Sequence, residues 1–271
     1  MRIVITGSSS GIGRALAERL LAHGHEVWGL ARRDQSDLAG RQPGRFHATH
    51  CDVADWARVS AAEREIGAVW PAIDGLVTCA GLQGAIGRAT AVDPREWSAT
   101  VRTNLEGTYY AIRAFHAALR RSARRSKVVC FSGGGASKAR PNFSAYAAAK
   151  TAIVRLVETI AEEDRDAPFD INTVAPGAIN TRMTDGIIAA GPAVAGQSEY
   201  ASALKQKQTG DAPMEKAIDL VEWLLSPASD GVSGRLISAV WDPWMEFAGP
   251  AAVLRDREIY TLRRVTPKKP D

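Results

Sequence analysis

The sequence predicts an α/β fold, a doubly wound parallel β-sheet with helices on both faces. Two observations carry that expectation. Short apolar runs alternate with longer amphipathic ones along the chain, and the runs are continuous rather than alternating in polarity. Strands buried on both faces need such continuous apolar runs, and parallel neighbours need helical crossovers between them. Right-handed crossovers then place ligands at the carboxyl ends of the strands.

Taken in order, Arg2–Thr6, Glu26–Ala31, Arg45–Cys51, Ile73–Ala80, Lys127–Ser132, Phe169–Ala175 and Gly234–Val240 are the expected strands, about seven in all. Gly11–His23, Trp56–Ile66, Pro94–Leu119, Ala145–Glu163 and Glu215–Leu225 are the expected helices. There is no internal repeat, and no linker divides residues 1–271, so a single domain is expected. Two segments break the alternation. Thr181–Asp211, rich in Ala, Gly and Gln, has the length of a functional lid or a disordered loop. Residues 241–271 carry Trp241, Trp244, Phe247 and Tyr260, too many aromatics for a disordered tail, so most of it is expected to pack on the body, with Thr266–Asp271 free.

Composition narrows the function class. Of 271 residues, 45% are hydrophobic and 24% charged, and the net charge of +4 comes from scattered basic residues. That is an ordinary globular balance with no nucleic-acid stripe. Clusters such as Arg120-Arg121 fit a solvated helix end. Cys51, Cys79 and Cys130 each lie in or beside an apolar run, which suits buried free thiols better than disulfides or metal ligands. With no apolar stretch of membrane-spanning length and a first strand beginning at Arg2, a cytoplasmic protein is expected.

The first strand runs into Thr6–Gly24, "TGSSSGIGRALAERLLAHG". Here Gly7 would permit a tight turn, Gly11 a close approach of backbone to a pyrophosphate, and Gly13 close packing of the new helix. The N–H groups of Ser9, Ser10, Ile12 and their neighbours would face the phosphates at the helix N-terminus. At the end of the second strand, an acid would select NAD and a cation NADP. This chain has Ala31 followed by Arg32 and Arg33, and Arg14 could add a further cation, so NADP(H) is favoured over NAD(H).

At the other end of the expected site, Tyr146 and Lys150 are one helical turn apart and share a face. A neighbouring ammonium and an oxidised nicotinamide would pull the phenol down from its ordinary value of about 10, toward a useful acid and base.

Six segments occur in order: Thr6–Gly13, Cys51–Val53, Thr78–Gly81, Thr103–Gly107, Ser144–Lys150 and Asn172–Met183. Together they resemble the short-chain dehydrogenase/reductase family, short Rossmann-like subtype, from Arg2 to about Val240. The resemblance implies an adenine contact from Asp52 and Val53, and cofactor contacts from Ala80, Gly81, Pro176, Gly177, Ile179 and Thr181. It implies Asn104, Ser132, Tyr146 and Lys150 as catalytic residues, with Asn104 anchoring a water that serves the lysine. It further implies a small carbonyl or alcohol substrate, and a homotetramer or homodimer. Tyr109, Ile112, His116 and Leu119 could lie along one helix face at such an interface.

The chain departs from the family in three places. "TCAG" replaces "NNAG", putting Cys79 where an asparagine is usual, and "SAVWDPW" replaces the usual ending. Third, the family's substrate-holding serine stands thirteen residues before the tyrosine, where this chain has Gly133; Ser132 lies one place earlier. Alternation along a strand would aim Ser132 the wrong way unless the following glycines let the loop adjust. Ser132 after adjustment, Ser137 or a backbone N–H in its stead, or a cofactor-binding sensor or scaffold with little catalysis all remain open. The expected function is interconversion of a secondary alcohol and a ketone, with a sugar-like or natural-product substrate. A nucleotide-sugar-modifying relative is less compatible with the Gly-x3-Gly-x-Gly spacing.

Overall fold

The computed structural model describes residues 1–133, 135–209, 212–247 and 258–265. Its seven strands form one parallel sheet in the order β3-β2-β1-β4-β5-β6-β7. They are β1 (Arg2–Thr6), β2 (Glu26–Ala31), β3 (Phe46–His50), β4 (Gly75–Thr78), β5 (Ser126–Phe131), β6 (Phe169–Ala175) and β7 (Leu236–Ser238). The order reverses between β1 and β4, which are direct neighbours, and that switch point opens the crevice where a doubly wound sheet binds ligands.

Strand alternation assigns the two faces. Ile3 and Ile5 of β1 pack beneath α1 (Gly11–Ala22) and α9 (Ala212–Leu225), whereas Val4 between them joins the opposite layer. That second layer is built by α3 (Trp56–Val69), α5 (Gly107–Arg120) and α6 (Ser144–Glu163), with Trp70, Phe115 and Ile153 fully buried. Each large apolar side chain so buried stabilises by about 1.5–3 kcal/mol relative to exposure.

Several boundaries differ from the sequence expectation for local reasons. β4 stops at Thr78: Cys79 still donates to the Thr6 carbonyl, but Ala80 turns to donate to the Thr6 hydroxyl. The long helix expected over Pro94–Leu119 is interrupted. It comprises α4 (Pro94–Val101), a π-helical turn over Arg102–Glu106, and α5. The cause is Asn104, whose amide donates to the carbonyls of Thr100 and Leu82 and so competes with regular helix geometry. A short α2 (Ser36–Arg41) was not expected. The Thr181–Asp211 insertion is two helices, α7 (Arg182–Ala195), kinked at Gly191 before Pro192, and α8 (Gln197–Thr209); Asp211 lies outside the described residues.

In the tail, Trp244 is buried against Trp223, and Phe247 meets Trp223 and Tyr260. Tyr260 accepts from the β7 amide of Leu236, and Leu262 donates to Glu158. Trp241, by contrast, is 84% exposed. Residues 248–257 and Thr266–Asp271 lie outside the described residues. The helix face suggested for an interface turns mostly inward: Ile112 and Leu119 belong to the core, and His116 bonds Asp164 at 2.7 Å, leaving Tyr109 exposed. No helix among the described residues is long and apolar enough to cross a membrane.

Candidate active site

The loop between β1 and α1 is shaped by backbone contact. Gly7 has φ 73°, and a Cβ there would lie 2.7 Å from the Ala80 amide nitrogen. At Gly13 a Cβ would lie 2.5 Å from the Gly7 carbonyl, so α1 can start against the loop only without a side chain. Gly11 is not crowded, the nearest atom to a Cβ being the Thr181 methyl at an ordinary contact distance of 3.8 Å, but its φ of 55° favours glycine. Ser10 begins α1 without capping it by its side chain, so the first-turn N–H groups keep their partial positive charge for a ligand. These features fit a dinucleotide pyrophosphate. Ser9 and Ile12 belong to the same turn, with Ile12 packed partly on the core.

Ser8 was not anticipated from the sequence. Its hydroxyl donates to buried Gln35 at 2.6 Å, and the Gln35 amide donates to Gly29, tying the glycine loop to β2. A Cβ at Gly29 would lie 2.5 Å from the Ser8 hydroxyl, so the tie depends on that glycine.

The arginines divide. Arg14 is spent on Glu18, at 2.9 Å, and on both carboxylate oxygens of Asp37, which raise it well above the ordinary arginine value. It is therefore not the loose second cation the sequence suggested. Arg32 and Arg33 are exposed beyond the end of β2, with Arg32 3.7 Å from Asp52. Asp52 also accepts from Ala54, and Val53 packs against Gly107, where a Cβ would lie 2.7 Å from it.

At the reacting end, α6 carries Tyr146 and Lys150 on one buried face. The Lys150 ammonium donates to the Phe131 carbonyl at 2.8 Å and lies 5.6 Å from the Tyr146 ring centre. Burial pushes Lys150 down to about 8. Burial also holds the Tyr146 phenol above its ordinary value, and the charge opposing this is Arg140. In the protein alone, burial outweighs the nearby cations, and the phenol stays above its ordinary value rather than below it. Gly81 sits between the parts of the site: a Cβ there would lie 2.7 Å from the Asn104 amide oxygen and 3.7 Å from the Lys150 nitrogen. Asn104 is fully buried, with its side chain clamped to both the N–H and C=O of Leu82, so it holds the loop after β4 against the π-helical turn.

Ser132 does not turn toward the phenol. Its amide continues the sheet by donating to Val174, and its hydroxyl donates to the Lys150 carbonyl at 3.3 Å. Gly133 holds the position facing the phenol, since a Cβ there would lie 2.6 Å from the Tyr146 hydroxyl oxygen. Ser132 and Gly133 keep the strand's alternation, and no shift of register brings the hydroxyl to the phenol. Ser137 is exposed, and Ser144 accepts from the Trp97 indole at 3.1 Å.

The Thr181–Asp211 insertion begins at the cradle. Pro176, Gly177 and buried Ile179 lead from β6 to Thr181, which caps α7 through the Met183 amide. Arg182 donates to Ser10 across the mouth of the glycine loop. Phe143, Tyr146, Ile187, Ala195 and Ala203 form a small apolar cluster that joins the start of α6 to α7 and α8, with Ile86, Met183 and Ile188 packed on it. Arg140, beside the Tyr146 ring, and Gln35, bonded to Ser8 of the glycine loop, are features of the site that motif reading did not single out. Neither has a motif; only the fold brings them in.

A seven-stranded parallel sheet with a glycine cradle at its switch point defines a dinucleotide-binding α/β protein. Comparison with known proteins sharpens this. Residues 1–190 match the family model described as short chain dehydrogenase. The chain is 31% identical over 245 residues to the short-chain dehydrogenase/reductase ABA4 of Pyricularia oryzae, covering 86% of this chain and 88% of that one. It is 28% identical over 251 residues to the short chain dehydrogenase mpl6 of Monascus purpureus, covering 89% and 80%. Among solved structures, levodione reductase superposes with a TM-score of 0.76 at 26% identity, over 88% of this chain and 95% of that one. A short-chain dehydrogenase/reductase from Saccharomyces cerevisiae shares the fold with a TM-score of 0.83 at 22% identity, over 92% and 99%. The chain belongs to the short-chain dehydrogenase family, nicotinamide-dependent oxidoreductases acting on small molecules.

Proposed function

We propose that the chain is an NADP(H)-dependent oxidoreductase interconverting a secondary alcohol and a ketone. The observation that carries this reading is the shared face of Tyr146 and Lys150 beside Gly81, at the same sheet edge as the glycine cradle. Bound NADP(H) would supply or accept the hydride. The chain's own residues do the rest. Gly7, Gly11, Gly13 and the start of α1 hold the pyrophosphate, with Thr181 and Arg182 closing over it. Exposed Arg32 and Arg33 favour a 2′-phosphate. Tyr146 exchanges a proton with the substrate oxygen. Lys150 orients the ribose, and its lowered value of about 8 lets the ammonium give up a proton in relay to the phenol during reduction and be reprotonated from solvent.

The substrate's body is better matched to an apolar ring than to a sugar phosphate. Phe143 and Ile187 cluster with Tyr146, and the partly exposed Ile86, Met183 and Ile188 pack on that cluster, while the lid's Glu199, Arg182 and Lys207 already bond Arg140, Ser10 and Asp185. A cyclic natural-product ketone fits this surface. Gly133 favours a second reading, a cofactor-binding protein with little catalysis, because the usual hydroxyl is missing beside the phenol.

Turnover of a ketone panel with NADPH, compared with Tyr146→Phe, separates the two. Loss of about 10²–10⁴-fold in the variant supports the enzyme, and no wild-type turnover supports the binding protein. Arg32→Asp should move cofactor preference toward NADH; unchanged preference would remove Arg32 from the argument.

A further inference from the structure

The loop after β5 places a second cation over the reacting phenol. The Arg140 guanidinium lies 4.2 Å from the centre of the Phe143 ring and 5.4 Å from that of Tyr146. Its Nε and Nη2 donate to the two carboxylate oxygens of Glu199 on α8, at 3.1 and 2.7 Å. The arginine side chain is only 14% exposed, so this fork-to-fork pair is shielded from water on one side. The loop that presents it is held from two directions. Asn142, at φ 68°, accepts from Gly87, and Thr151 on α6 donates to the carbonyls of Gly135 and Ala136.

The other groups facing Tyr146 can be named element by element. On its own helix, Lys150 is 5.6 Å from the ring centre and committed to the Phe131 carbonyl. The end of β5 brings uncharged Ser132 and Gly133. From the lid, Ile187 of α7 and Ala203 of α8 belong to the cluster, and Glu199 is the lid's charged side chain that reaches it, through Arg140; Asp185 and Lys207 are exposed and paired with each other. Two cations therefore stand at similar distances from the ring, Lys150 held by a neutral carbonyl and Arg140 by a charged residue of the lid.

We propose that Arg140 is a positioning residue for the Tyr146 phenol, with Glu199 of α8 as its counter-charge, so that lid position governs the field the phenol feels. With α8 seated, the carboxylate cancels much of the arginine's effect. When α8 lifts, the bare guanidinium stabilises the phenolate. The direction agrees with Arg140 opposing the burial that raises Tyr146. The proposal rests on Tyr146 being the proton-transfer group, and its test is chosen to work without turnover.

That test is a near-ultraviolet difference titration of the phenol in the full chain without cofactor. Each variant is referenced to its own Tyr146→Phe counterpart, so that the other tyrosines cancel. Arg140→Met should raise the midpoint by about one pH unit, and Arg140→Lys should restore most of it. Glu199→Gln should lower the midpoint, the opposite sign. The pH limb of alcohol oxidation should move in the same two directions. An unmoved midpoint in Arg140→Met, or shifts of the same sign in Arg140→Met and Glu199→Gln, would overturn the proposal, since a merely structural role disturbs the site the same way from either partner. Opposite midpoint shifts with no turnover in any form would uphold the Arg140 assignment and sink the enzymatic reading instead.

Discussion

The two ends of the site are built by different means. At the cradle the demands fall on backbone: Gly7 and Gly13 are needed because other backbone atoms stand where their Cβ would be. At the reacting end the demands fall on side chains, and there the chain departs from its family, with Gly133 under the phenol and Ser132 turned to the Lys150 carbonyl. Backbone constraints tolerate no substitute, so they persist as a readable pattern. A hydroxyl donor can be replaced by another group nearby, and its loss costs only a few kcal/mol even in demanding cases. A cradle can therefore stay regular while the chemistry beside it is rearranged.

The sharpest way to break that contrast is at Gly7. Gly7→Ala would place a Cβ 2.7 Å from the Ala80 nitrogen while holding φ at 73°. Left-handed strain and overpacking together should cost about 3–4 kcal/mol, read as a lower denaturant midpoint. A loss below about 1 kcal/mol would show that the loop can relax and that the cradle is no stricter than the reacting end.

Lys150 gives the next largest effect, and it carries a sign. Burial lowers it from 10.5 to about 8, so between those values the unfolded chain binds more protons and stability rises with pH. Below about 8 the buried ammonium costs the fold. Lys150→Met should thus stabilise at neutral pH by up to about 3 kcal/mol, before loss of the Phe131 hydrogen bond is subtracted. The gap from wild type should close as pH rises from about 8 to 10.5, measured by urea unfolding at each pH. A pH-independent gap would mean that Lys150 is not held against its own burial, and that the reacting end stores no such tension.

How much was legible beforehand follows the same division. The strands, α1 and the glycine turn were readable because continuous apolar runs and close backbone approach leave direct marks on residue type. Orientation at β5 was half readable: alternation argued that Ser132 faces away, and the open question was whether three following residues would override it. The π-helical turn was not readable, because Asn104 acts through Leu82, 22 residues away, and helical periodicity carries no trace of that contact. Nor was the capture of Arg14 by Asp37, since α2 was not anticipated. Arg140 and Glu199 are 59 residues apart and meet only once the lid is folded.

The smallest effect tests the reacting end itself. Gly133→Ser would return a hydroxyl to the family position. Gly133 does not occupy the left-handed region, so backbone strain is not the obstacle; the crowding is with the Tyr146 hydroxyl at 2.6 Å and ring carbons at 3.4 Å. The new side chain requires the far end of Tyr146 to give way within its cluster, which sets the added hydroxyl beside the phenol and any substrate oxygen there. On the enzymatic reading another group already holds that oxygen, so kcat should rise about tenfold, less than the 10²–10³ a sole oxyanion donor supplies. The control is Ser132→Ala, whose hydroxyl is bound inside the protein: it should leave kcat within about twofold while costing about 1 kcal/mol of stability. If Ser132→Ala instead abolishes turnover and Gly133→Ser changes nothing, the serine acts from a rearranged loop. The two ends of the site would then be equally faithful to their family.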